Sequence, residues 1–331
     1  MKAGLLLLLA LLSAFMSCSD KVKTEVKETK LEFKTLFVDS LMIGKATEML
    51  LVDSNLLISD RQSDSLFHWV NLNKLTSKDV GQIGQGPGEF LHFDNFYHIN
   101  NNYGFYDRRL RTSNDIIFLK DRILLNKNVR YGSIHYRLVP TAFNTFVGIG
   151  PYEKGLFHIL DIKGIAVDTI GEQPYRDEAE RSVPELARAM AYQGKIVTSP
   201  KGDYLVHAIF MSPIISFYKL SLANIELLKS HVDCYPTYKP ELGNNSYASA
   251  MSRSNILGFI DVAVTDRYVY ALLSGKSTRE SGLSAFAGNG NLLKIYTCNT
   301  DLTTLCVSAD DSIMYAIGLV EDYELLVANL K

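Results

Sequence analysis

The chain has 331 residues, a formal net charge of −2, 47% hydrophobic residues and 21% charged residues. These proportions exclude wholesale disorder and a nucleic-acid binder that works through excess positive charge. The length accommodates two ordinary domains or one large sheet-built domain.

In chain order, Lys2 is followed by a nearly unbroken apolar run, Ala3 to Met16, then Ser17 and Cys18. A short basic start, an apolar stretch and a small residue before a cut predict a secretory signal. The run falls short of the roughly 18–20 residues that span a bilayer. Phe15-Met16-Ser17-Cys18 resembles a bacterial lipobox, with Phe15 where Leu is usual. That resemblance implies removal of residues 1–17 and diacylation of Cys18. Several acyl chains hold a domain at a membrane surface more firmly than one. Ser19 and Asp20 resemble the start of outer-membrane lipoproteins of the Bacteroidetes, with the periplasmic face and the cell surface both open. Residues 18–30, rich in alternating charge, read as a solvated tether. Residues 31–331 then form the folded domain.

Leu31 to Val38 alternates apolar and polar residues, which is strand period. Six hairpins follow, each a pair of apolar or aromatic runs around an Asn, Asp or Gly turn. Their turn markers are Asn55, Asn101, Asn144, Gly202, Arg267 and Asp311, with steps of 46, 43, 58, 65 and 44. A period of roughly 40–50 residues with about four strands is that of a propeller blade. The expected fold is therefore all-β, a six-bladed antiparallel β-propeller, and the two long steps carry insertions. The last module has about three strands, so the N-terminal strand closes the ring and removes an exposed edge. A pair of β-sandwiches would show no such period.

One short helix is predicted over Ser182–Tyr192, from the capping box Ser182-Val183-Pro184-Glu185 and apolar residues at helical spacing. Tyr235–Gly258 and Lys276–Asn291 are rich in Ser, Asn, Gly and Tyr and read as loops.

Ile83-Gly84-Gln85-Gly86-Pro87-Gly88-Glu89-Phe90 resembles the GxGPGEF segment of TolB-like and NHL-like six-bladed propeller lipoproteins of the Bacteroidetes. Val264 to Lys276, Gly290-Asn291 and Ile313-Met314-Tyr315-Ala316 resemble later stretches of that group in the same order. The resemblance implies a propeller fold and an envelope location. It implies no catalytic residues, and kinship with TolB would suggest a protein partner.

The remaining motifs are structural in the first instance. The GxGPG glycines offer an anion nest, but a tight inter-blade loop accounts for them better. Gly275-Lys276-Ser277 lacks the upstream glycine of a P-loop. The seven histidines show no metal-ligand spacing, so no metal or cofactor is expected. Cys234, Cys298 and Cys306 allow one pair at most, Cys298 with Cys306, and read as packed apolar residues. Asp310-Asp311 sits in a turn with its side chains pointing apart. Arg108-Arg109-Leu110-Arg111 is the densest basic cluster, suited to an acidic ligand or to guarding a strand edge. Ser40, Ser65, Thr169 and Ser312 lie in Asp-Ser/Thr-apolar triplets, which resemble acceptors of Bacteroidetes O-glycosylation.

The functional expectation is an envelope lipoprotein whose propeller binds a glycan, a peptide or an envelope protein, with no nucleic acid among its partners. Tyr235, Tyr238, Tyr247 and Phe286, in the inserted loops, are its candidate binding-face residues. The alternative is an enzyme at the channel mouth, a glycoside hydrolase, lyase or lactonase, which needs two carboxylates, or a histidine and carboxylate metal set, converging there. A sensor or assembly subunit is a third reading.

Overall fold

The computed structural model describes residues 26–331 except 223, 244–245 and 276–281. The signal segment, Cys18, most of the tether, Lys276 and Ser277 lie outside the described residues. Strands β1 (Lys27–Leu31) and β2 (Lys34–Thr35) open the fold. Blade one is β3 (Ala46–Val52), β4 (Asn55–Asp60), β5 (Ser65–Asn71) and β6 (Thr76–Gln82). Blade two is β7 (Asn95–Ile99), β8 (Asn102–Asp107), β9 (Thr112–Phe118) and β10 (Ile123–Arg130). Blade three is β11 (Arg137–Pro140), β12 (Thr145–Ile149), β13 (Phe157–Asp161) and β14 (Ala166–Ile170). Helices α1 (Glu178–Arg181) and α2 (Glu185–Ala191) precede blade four: β15 (Gly194–Thr198), β16 (Tyr204–Ile209), β17 (Ile214–Leu220) and β18 (Ile225–Val232). A hairpin, β19 (Tyr238–Gly243) and β20 (Ser246–Met251), leads to blade five: β21 (Leu257–Val264), β22 (Tyr268–Gly275), β23 (Gly282–Ala287) and β24 (Leu292–Cys298). Blade six is β25 (Asp301–Val307), β26 (Ile313–Leu319) and β27 (Tyr323–Asn329), with β2 as its outer strand.

Each of the six expected hairpins joins the first two strands of one blade. Five of the six turns use left-handed backbone, and residues that tolerate it supply it. Asp53, Asn101, Asn144, Gly202 and Asp311 all have φ between 53° and 68°. The N-terminal strand closes the ring as expected, through Lys34 against Val327 and Thr35 against Leu326.

The apolar residues gather in the seams between blades, where each twisted sheet packs on the next. Phe67, Phe93, Phe96 and Phe105 fill the seam between blades one and two, Phe67 lying 5.0–5.4 Å from each of the other three rings. Tyr106, Tyr131, Leu138 and Leu160 join blades two and three. Separate clusters join three to four, four to five, five to six and six to one. Phe33 stands in the five–six seam and is buried there. The aromatic residues are thus mostly seam filling.

Five local expectations change. Two short helices form instead of one, and the capping box does not close. Ser182 instead donates its hydroxyl to the Ala179 carbonyl at 2.6 Å, ending α1, and α2 starts from Pro184 with no side-chain cap. Glu185 is drawn away to accept from the Gly155 amide at 2.8 Å. Residues 27–30, expected to be tether, are strand, because β1 pairs in parallel with β24 from Lys27 onward. Tyr235–Gly258 contains the β19–β20 hairpin, which packs on α2 through Ser249 Oγ to the Ala187 carbonyl at 2.5 Å. Lys276–Asn291 is not one loop, since Gly282–Ala287 is the third strand of blade five.

Candidate functional site

Each blade runs its first strand up one wall of a central channel. The six hairpin turns therefore stand together at one end, and the first strands begin at the other. The turn end opens into a funnel of about 710 Å³. Asp53, Asn100, Asn101, Lys201, Asp266 and Ser308 form its rim. Below them Leu51, Val197, Ala263, Val264 and Val307 present partly exposed aliphatic surface. His98 is the one imidazole among the described residues of this wall, its ring stacked on Tyr103 at 4.8 Å and 21°. Burial holds His98 below the usual imidazole range, against the attraction of Asp266.

The funnel ends on charge. Glu48 of blade one and Asp261 of blade five both pair with the Lys195 ammonium of blade four. All three side chains are less than a tenth exposed. Burial pushes the Glu48 carboxyl up, against the pull of Lys195. Burial works to lower the Lys195 ammonium as well, but Asp261 and Glu48 outweigh it, so its pKa ends above the ordinary lysine value.

These three belong to a belt with one polar residue per blade at the same depth: Glu48, Asn95, Arg137, Lys195, Asp261 and Thr304. Wherever the belt residue carries an acceptor facing the next blade, it accepts the backbone N–H just after that blade's own belt residue. Glu48 Oε2 takes Phe96 N at 3.0 Å, Asn95 Oδ1 takes Leu138 N at 3.2 Å, and Asp261 Oδ2 takes Leu305 N at 2.8 Å. Thr304 Oγ1 also donates to Asp261 Oδ2 at 2.5 Å, and Val262 N to Asp261 Oδ1 at 2.8 Å. Arg137 and Lys195 have no acceptor to offer. The floor carboxylates are thereby committed to holding blades in register.

The family description TolB-like 6-blade propeller-like matches residues 21–310. The chain belongs to the TolB-like six-bladed propeller family. The fold of this TolB-like propeller is also similar to that of a Bacteroides fragilis NCTC 9343 protein named for an inferred export. The TM-score is 0.57 at 14% identity, over 91% of this chain and 95% of that one. Two further similar structures are the β-propeller domain of Cps50 (Swd1) from Myceliophteria thermophila and the WD40 repeats of RRP9. Each has a TM-score of 0.49, at 13% and 10% identity, covering 88% and 90% of this chain and 98% and 97% of theirs. No curated protein matches the chain. No helix among the described residues is long and apolar enough to cross a membrane.

The binding-face, glycosylation and GxGPGEF residues singled out in the sequence do not line the funnel of this TolB-like propeller, whereas Cys306 does. Tyr235 and Tyr247 are exposed on the insertion, 36% and 38% accessible, at the far end of the ring from the funnel. Tyr238 is half-buried, its ring 6.5 Å from Tyr192. Phe286 is not on a binding face: it is buried on β23, 5.3 Å from Phe217 and 5.2 Å from His231. Ser40 and Thr169 are exposed, while Ser65 and Ser312 are half-buried, Ser312 donating its hydroxyl to Asp310 at 2.6 Å. Cys234, Cys298 and Cys306 are free thiols. The GxGPGEF loop carries its own anion, because Glu89 Oε2 accepts from Gly86 N at 2.6 Å. A Cβ at Gly84 would stand 2.1 Å from that same carboxylate oxygen, so a larger residue there would push the Glu89 side chain out of this position.

The belt and funnel carried no motif. Their one signal in the sequence is positional: a polar residue three or four places before the last residue of each blade's first strand, in a mostly apolar run.

Proposed function

We propose that this TolB-like propeller is an exported, lipid-anchored envelope protein that binds a peptide or glycan in its funnel. The observation that carries the reading is the funnel itself. Its volume falls within the range of ligand sites, and its aliphatic wall with a polar rim suits a ligand that is apolar on one side. Asp53 and Asp266 against Lys201 favour a neutral or cationic ligand. Glu48 and Asp261 are engaged by Lys195 and by backbone amides, which supports a structural floor beneath a binding site. The lipobox-like Phe15-Met16-Ser17-Cys18 supports the anchor, and similarity to the B. fragilis protein supports export.

Peptide and glycan arrays probed with the soluble 19–331 chain test the binding reading. Leu51→Trp and Val197→Phe fill the funnel and should abolish capture while leaving Tm within a few degrees. Capture that survives both substitutions refutes the funnel as the site. Turnover of a captured compound that disappears in Asp53→Asn/Asp266→Asn would favour an enzyme instead. Radiolabelled palmitate should enter the full chain and not Cys18→Ser. Labelling of both, or of neither, removes the anchor.

A further inference from the structure

We propose that the end of the channel opposite the funnel is a second site, which binds an oxyanion, phosphate or carboxylate, on a cluster of arginines. The inference does not rest on the funnel reading. Asp94 and Arg137 stand at the starts of β7 and β11, and Arg61 and Arg108 follow the ends of β4 and β8. All four therefore lie at the end where first strands begin. Among the described residues, Asp94 Oδ1 is the carboxylate oxygen these groups pair with, Arg108 Nε at 3.3 Å, His92 Nε2 at 3.6 Å and Arg137 Nη1 at 3.9 Å. The neighbouring carboxylates Asp60 and Asp107 are engaged by backbone amides. Asp60 accepts from Gly44, Lys45 and Gln62, and Asp107 from Leu91, His92 and Leu110.

Guanidinium donors are left over. Arg61 and Arg109 are exposed and pair with no carboxylate among the described residues, yet both stand close enough to act on His92. Arg137 Nε is buried without a hydrogen-bond partner. Four arginines gather here, Asp94 pairs directly with two of them and Glu48 acts on Arg137, which leaves guanidinium N–H groups without a protein acceptor and open to an anion. Guanidinium groups bind carboxylate and phosphate oxygens in fork geometry, and several at one spot select a multiply charged group. The two ends of the ring then differ in chemistry, with Asp53, Asp266 and Lys201 at the funnel rim and a guanidinium cluster opposite.

Inorganic phosphate and citrate are the probes, titrated calorimetrically into the soluble 19–331 chain at low salt. Saturable binding of either is expected, weakened at least tenfold in Arg61→Ala/Arg109→Ala, whose side chains are exposed and outside the packed seams. Lys201→Ala, at the funnel rim, should leave the affinity unchanged. Asp94→Asn removes the resident carboxylate and should tighten binding, a gain that a purely structural role for Asp94 does not produce. Burial, reinforced by Arg108, Arg61 and Arg109 and opposed by Asp94, holds His92 below the ordinary imidazole value. Its pKa, followed by NMR, should rise when the anion binds. Phosphate binding without citrate binding assigns the site to phosphate, and binding of both assigns it to oxyanions generally. No saturable binding of either, or equal affinity in Arg61→Ala/Arg109→Ala, overturns the proposal.

Discussion

Asn95 of blade two and Leu138 of blade three hold each other by two hydrogen bonds, side chain against backbone. Asn95 Nδ2 donates to the Leu138 carbonyl at 2.8 Å, and the Leu138 amide donates to Asn95 Oδ1 at 3.2 Å. Asn95 is fully buried, so water cannot replace either bond. Asn95→Ala should cost about 3 kcal/mol, since two buried backbone groups lose their partner together. Urea unfolding checks this, and a loss below about 1 kcal/mol would mean the seam relaxes around the gap.

Lys195 answers two carboxylates at once. Lys195→Met leaves Glu48 and Asp261 facing each other without a cation. Removing one partner of a buried ion pair costs about 3–5 kcal/mol. Adding Glu48→Gln and Asp261→Asn to Lys195→Met should recover much of that loss, because the uncompensated charges go with it. Equal Tm values for the single and triple variants would show that charge is not what the belt needs.

His207 gives stability a pH dependence on the acid side. It is buried, its Nε2 has no partner, and burial lowers its pKa to about 4. The unfolded chain takes up this proton near pH 6.5, before the folded chain does. Stability is therefore full above about 6.5 and falls as pH drops toward 4, by on the order of 3 kcal/mol. His207→Gln should flatten that slope in unfolding curves taken between pH 4 and 7. An unchanged slope would assign the dependence to other groups, His135 first among them, which burial lowers to about 3.

Phe33 and Phe37 lie four residues apart and differ in consequence. Phe33 is 6% exposed in the five–six seam, and Phe37 is 82% exposed. Phe33→Ala should destabilise by about 3–5 kcal/mol and Phe37→Ala by less than about 0.5 kcal/mol. Similar losses from both would mean that the closing segment is not held by the seam.

The ring was legible because its blades begin with a local signal. A hairpin with Asn, Asp or Gly at its turn is written within about a dozen residues, and six such hairpins share a spacing. What depends on partners distant in sequence was not. Glu48, Asn95, Arg137, Lys195, Asp261 and Thr304 differ in type, and only the closed ring brings them level. Strand β1, Lys-Glu-Thr-Lys-Leu, has the charged composition of a tether, and its pairing comes from β24, more than two hundred and fifty residues away. Phe286 was misplaced for a related reason. Ser and Gly around it imitate a loop, while Leu283 and Ala285 face one seam and Phe286 the other.

The path of the first described residues has a mechanical consequence. Strand β1 lies along the outside of blade five, and only then does the chain reach β2, which completes blade six. A pull from the N-terminal side loads the β1–β24 pairing before any of it reaches β2. The element that shuts the ring is shielded by one that can peel away and re-pair, as a strain relief protects the joint of a cable.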